Sequence, residues 1–117
     1  MEGKTEESTV KIEVVNDLTC HFDKSWLAEL QTGQSLYDVM LNLAKSTSSF
    51  SFEYKYYPEL GHEIITICGM HADSANKQYW QILDSAGKPK TTGVDGIKPV
   101  PDDTFKFRLI NYEGGCP

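Results

Sequence analysis

The chain has 117 residues, the size of one domain built around one core. Its 39% hydrophobic and 24% charged residues exclude the composition of a disordered chain, and a formal net charge of -6 argues against a nucleic-acid partner, because polyphosphate repels such a surface. No segment approaches the roughly 20 apolar residues that cross a bilayer, so no membrane partner is expected.

Residues 1–8 are polar and expected to be disordered. The opening MEGKTEEST lacks the apolar stretch of a secretory signal, which leaves two readings open: a cytosolic protein, or a mature segment with an added initiator Met. Val10 to Val14 alternates apolar and polar residues as a half-buried strand does, and Asn16-Asp17 suggests a turn. Residues 18–30, with Leu18, Phe22, Trp26, Leu27 and Leu30, fit one irregular strand or two short ones. Ser35 can cap a helix, with Asp38 completing a capping box, and Leu36, Val39, Met40 and Leu43 recur at helical spacing as a core stripe. The Ser46-Thr47-Ser48-Ser49 cluster ends it.

Phe50, Phe52, Tyr54 and Tyr56 then alternate as a strand, Pro58 to Gly61 makes a loop, and Glu63 to Cys68 returns as the second arm of a hairpin. Gly69 to Asn76 reads as a polar connection, and Gln78 to Leu83 as a strand. Lys88 to Pro101 reads as loop, since it holds Pro89, Gly93, Gly96 and Pro99. The last strand, Thr104 to Leu109, alternates Phe105, Phe107 and Leu109. The pattern predicts an α+β domain, one helix lying across a mostly antiparallel sheet.

Catalytic signals are poor, and the protein is not expected to be an enzyme. There is no Gly-rich phosphate loop and no nucleophile elbow; His21, His62 and His71 are scattered, and Asp102-Asp103 reads as a solvated turn. The cysteines, Cys20, Cys68 and Cys116, form no C-x-x-C pair. They allow one disulfide with an odd thiol, a bridge between chains through the flexible 113–117 tail, or three inert thiols. Tyr54, Tyr56, Tyr57, Tyr79, Trp80 and Tyr112 suit a ligand face, a protein partner or plain sheet packing.

At Gln78-Tyr79-Trp80-Gln81-Ile82-Leu83 the sequence resembles the C-terminal domain of the transcobalamin and gastric intrinsic factor family of cobalamin carriers. Further segments fall in the same order. VKIEVVNDL at Val10 to Leu18 is similar to the family's first strand, and Thr32 to Leu36 to the segment before its helix. Ser49 to Glu53 resembles its Phe-x-Phe-Glu strand, Thr66 to Met70 falls where the family has Ser-Ile/Val-Asn-Gly/Asn, and Gly93-Val94 matches its Gly-Val; Phe105 to Tyr112 fits the closing strand. The resemblance covers residues 9–112 and implies a β-grasp-like fold.

In that family cobalamin is clamped between a large helical-barrel domain and this smaller one. The resemblance therefore implies a secreted binding protein of transport type for cobalamin or a related corrinoid. The implied contacts are Thr66, Cys68, Gly69, Tyr79, Trp80, Gln81, Leu83, Gly93 and Val94, with His71 a candidate ligand to cobalt. Trp80 and Leu83 would cover the apolar edge of the macrocycle, and Thr66 and Gln81 would hydrogen-bond its amides. Cys68 stands where the family has Asn, and the sequence holds no counterpart of the helical domain. That implies weaker binding alone, or self-association or a protein partner that rebuilds the enclosure. The alternative is an extracellular interaction or structural module that has lost cobalamin binding.

Overall fold

Apolar alternation sets the strands. In β1 (Thr9–Asn16), Val10, Ile12 and Val14 point into the core; in β7 (Thr104–Asn111), Phe105, Phe107 and Leu109 do the same. These strands pair in parallel, Ile12 opposite Phe105 and Val14 opposite Phe107. β2 (Phe22–Glu29) flanks β1 and β6 (Gln78–Leu83) flanks β7, both antiparallel, giving the order β2-β1-β7-β6. The computed structural model describes residues 8–19 and 22–111. Expectations for the first seven residues, Cys20, His21, Tyr112 and the 113–117 tail lie outside the described residues.

The helix α1 (Leu36–Ser46) is set by its cap. Ser35 Oγ accepts from the Asp38 N–H at 3.2 Å, and the Asp38 carboxylate accepts from the Ser35 N–H at 3.1 Å. Two further N-terminal donors are used by a distant loop: Leu36 N–H donates to Ile97 O and Tyr37 N–H to Val94 O. Leu36, Val39, Met40 and Leu43 then face the same core as β1 and β7, together with Phe50, Ile67, Trp80, Val94 and Ile97.

The expected hairpin forms a separate sheet, β3-β4-β5, from β3 (Phe52–Tyr57), β4 (Gly61–Ile67) and the short β5 (Met70–His71). The register shifts between Glu53 and Tyr54, so Ile65 bulges out of the ladder. The result is the anticipated α+β, β-grasp-like domain, with one α-helix among the described residues. It adds a parallel pair at its centre and splits its strands between two sheets. Period-two alternation identifies a strand but carries no information on the direction or identity of its neighbour, so neither feature was legible. In the ambiguous 18–30 region, Leu18 and Thr19 lie in a turn and Phe22–Glu29 forms one strand. Phe22, Trp26 and Ala28 face inward, while Leu27 lies 72% exposed on the outer side.

Replacing Ser35 with Ala is expected to lower the unfolding free energy by about 1 kcal/mol, read as a shift of the urea midpoint at unchanged slope. Met40→Ala, which empties a fully buried position, should cost about 2–5 kcal/mol. A Ser35→Ala midpoint equal to the parent's would mean that the cap contributes nothing.

Candidate functional site

β6 is an edge strand, and the edge it leaves unpaired faces β4 of the second sheet. Between them lies a cleft of about 920 Å³. One wall is β6 from Gln78 to Ile82; the opposite wall is Gly61 to Ile65 with Lys55 and Tyr57 of β3. His71, Ala72 and Ser74 close one end and Lys90 to Val94 the other. The volume lies within the usual range for small-molecule sites.

The closing loop is held at three points. Lys90 N–H donates to Ile82 O at 2.8 Å, the carbonyls of Val94 and Ile97 cap the helix, and Asp95 binds β4. The Asp95 carboxylate accepts from the His62 backbone N–H at 2.6 Å and from its ring Nδ1–H at 2.9 Å, which leaves Nε2 of a neutral ring without the proton. Gly61 has φ +89°, and a side chain there would collide with the Asp95 carboxylate; glycine permits both the turn and the close approach. The His62 ring stacks on Tyr37 at 3.7 Å and meets Tyr54 and Tyr56 at its edges.

These contacts move two pKa values. Burial raises the Tyr37 phenol, reinforced by its hydrogen bond to Tyr54 and by the charges of Asp95 and Asp38, to about 12 from the usual 10.0. Burial also pushes Asp95 up, but the hydrogen bonds from the His62 backbone and ring, with the ring's charge when protonated, outweigh it and hold the carboxyl below the ordinary 3.8.

Of the residues singled out from the sequence, Tyr79, Trp80, Gln81, Gly93 and Val94 lie on the cleft wall. Trp80 and Val94 are also core residues, and Gln81 Oε1 accepts from Arg108 at 3.1 Å. Thr66 is buried behind the wall and hydrogen-bonded to Nδ1 of His71, which does line the cleft. Leu83 lies beyond it, bridged to Pro89. Cys68 and Gly69 form the tight turn between β4 and β5, with φ of 52° and 80°. Left-handed pairs of this kind favour Asn-Gly, so the Asn expected at 68 is the residue that this turn prefers. Cys68 is a free thiol. Among the described residues no group of three or more His, Cys, Asp or Glu side chains could hold a metal ion, and no helix is long and apolar enough to cross a membrane. Sequence reasoning missed Asp95 and the structural role of His62, which meet across 33 positions of chain; Asp95-Gly96 inside a polar loop gave no signal of that contact.

No protein-family model and no curated protein matches the sequence. Solved structures do match. Haptocorrin in complex with Cbi (cobinamide) superposes with a TM-score of 0.78 at 18% identity, over 96% of this chain and 27% of that one. The fold is like that of the matched part of haptocorrin. The chain thus spans about a quarter of the haptocorrin chain it matches. A protein of Ruminococcus gnavus ATCC 29149, provisionally described as metal-binding, matches with a TM-score of 0.61 at 20% identity, over 90% of this chain and 98% of that one.

Three outcomes follow from the geometry. A raised phenol pKa stabilises the fold fully below pH 10 and loses that contribution as pH rises through about 12. Ultraviolet titration should therefore show one late-ionising tyrosine, absent in Tyr37→Phe. The Asp95 contribution should be complete above pH 3.8 and vanish as pH falls through its lowered pKa, so Asp95→Asn should flatten the acid limb of a stability-against-pH curve. At the turn, Cys68→Asn is expected to raise stability by about 1 kcal/mol by relieving left-handed strain. A lowered midpoint would mean that the thiol's contact with Ser49 O outweighs that strain.

Proposed function

We propose that this chain is a non-catalytic binding module for cobalamin or a related corrinoid, seated in the cleft between β6 and β4. The observation that supports it is the coincidence of a cobalamin-carrier-like fold with a cleft whose wall carries Tyr79, Trp80, Gln81, Gly93 and Val94. The residues present fit such a ligand. Tyr79 and the hairpin's Tyr57 and Leu60 offer apolar surface to a macrocycle edge, and the buried Trp80 Nε1–H has no hydrogen-bond partner among the described residues. Gln81 can offer its amide NH2, since its carbonyl is engaged by Arg108. His71, oriented through Thr66, is the residue on the wall suited to approach cobalt. A protein partner or second copy would complete the enclosure of the ligand, and an extracellular setting accords with a carrier role.

A second reading, a protein-interaction module, draws on the β3–β4 hairpin. There Tyr54, Tyr56, Tyr57 and Leu60 are exposed, Leu60 to 81%.

Titration with cyanocobalamin and hydroxocobalamin, followed by absorbance and calorimetry, separates the two. Trp80→Ala would remove core packing as well as a ligand contact, so the informative block is Gly93→Tyr. Gly93 is exposed, and a Cβ there meets nothing nearer than His62 O at 3.9 Å. Saturable binding that falls at least about tenfold in Gly93→Tyr, with an unchanged denaturation midpoint, is expected. No heat and no spectral change at high micromolar ligand would overturn the carrier reading and leave the hairpin surface as the working site.

A further inference from the structure

β3 is the outer strand of its sheet, with β4 on one side and no strand of the described residues on the other. The ladder fixes which backbone groups face out. His62 N–H turns away from β3 to Asp95, so Tyr56, opposite it, sits in a non-hydrogen-bonded pair and directs its own N–H and C=O away from β4. At the other end Ser51 O accepts from Cys68 N–H and points inward. The bulge lies on β4, so alternation along β3 is unbroken and turns Phe52, Tyr54 and Tyr56 outward together. None of these outward groups has a hydrogen-bond partner among the described residues. Every residue of β3 except Phe52 is exposed, Tyr56 to 59%. Such an edge is a template for another strand.

The side chains of the edge suit a second copy of itself. Phe52-Glu53-Tyr54-Lys55-Tyr56 reads aromatic, acid, aromatic, base, aromatic. An antiparallel two-fold pairing centred on Tyr54 sets Phe52 opposite the partner's Tyr56, Tyr54 opposite the partner's Tyr54, and Glu53 opposite the partner's Lys55, the first and last pairs each formed twice. The aromatic pairs are then the hydrogen-bonded ones, as the outward groups require, and the charge pairs are the closer non-hydrogen-bonded ones. The rings share the face on which Tyr54 and Tyr56 meet His62 at 4.7 and 4.9 Å, and the charges share the other. Glu53 and Lys55 take part in no ion pair among the described residues. Moving the two-fold centre to Glu53 or Lys55 would oppose that residue to its own copy, like charge to like. β2, an outer strand of the other sheet, lacks this property: Lys24 shares its direction with Phe22, Trp26 and Ala28, so no edge-matched register of β2 on itself sets it opposite an acid.

We infer that two copies of this chain associate through β3, joining their sheets into one of order β5-β4-β3-β3-β4-β5 about a two-fold axis at Tyr54. Backbone bonds hold the strands together, and the two Glu53–Lys55 pairs select the register. The contact is short, so the dimer is reversible and concentration-dependent. The net charge of -6 on each copy opposes association at low ionic strength, and physiological salt screens that repulsion beyond roughly 8 Å. The inference stands apart from what the cleft binds, because the cleft lies between β6 and β4 and the dimer uses the outer edge of β3.

The test is sedimentation velocity of the full chain at physiological ionic strength, in reductant so that no disulfide contributes. A monomer at low micromolar concentration should pass to a dimer toward millimolar. Lys55→Glu and Glu53→Lys, each at an exposed position, should separately weaken the dimer at least about tenfold by opposing like charges, and the double exchange should restore it. Circular dichroism equal to the parent's checks that each variant is folded. Hydrogen exchange reads the register: with rising concentration the amides of Phe52, Tyr54 and Tyr56 should gain protection, while those of Glu53 and Lys55, which face β4, should not change. A monomer at every concentration would overturn the inference and leave the edge to a strand of another protein. A dimer that both single variants leave intact, or protection without that alternation, would overturn it in favour of another surface. Cobalamin titration reads the cleft separately, so failure of either reading leaves the other standing.

Discussion

The parallel pairing of β1 with β7 is the constraint on which the rest of the molecule depends. It joins the two ends of the described chain through Ile12, Val14, Phe105 and Phe107, all nearly or fully buried. Two strands running the same way cannot be joined by a tight turn, so the chain between them must cross over outside the sheet before it returns. The helix covers one face, β2 and β6 take the flanks, and the β3–β4 hairpin is displaced into a second sheet. The cleft is a consequence: it is the interval in which the free edges of β6 and β4 face each other without pairing.

Residues 88–101 turn that interval into a shaped site. The loop is polar in composition, yet it buries Val94 and Ile97 and supplies carbonyls to the helix N-terminus. A helix end leaves backbone donors unmet, and a loop whose carbonyls meet them is fixed in position by the same bonds. Asp95 adds a charged acceptor for the backbone and ring of His62, so one carboxylate links the loop to the second sheet. Stacking of that ring on Tyr37 carries the linkage back to the helix.

Trp80 is shared between the core and the cleft. Its ring packs in the core at 8% exposure, and the residue also lines the cleft. The likeness to haptocorrin at 18% identity is one of fold, and fold alone is compatible with many ligands. The corrinoid reading draws on the coincidence of that fold with the lining of this cleft.

The sequence by itself determined the elements whose signals are local. Ser35 and Asp38 marked the helix start within a few residues, the Leu36, Val39, Met40 and Leu43 stripe marked its buried face, and alternation at Phe105, Phe107 and Leu109 marked the last strand. Motif resemblance also drew attention to the Tyr79-Trp80-Gln81 strand. Only the tertiary structure decided that β1 and β7 run parallel, that Cys68-Gly69 is a left-handed turn, that Thr66 lies behind His71, and that Asp95 clasps His62. The reason is physical. Capping and periodicity depend on neighbours a few residues away, whereas strand direction, edge exposure and a carboxylate's partner depend on which distant segments the packed core brings together.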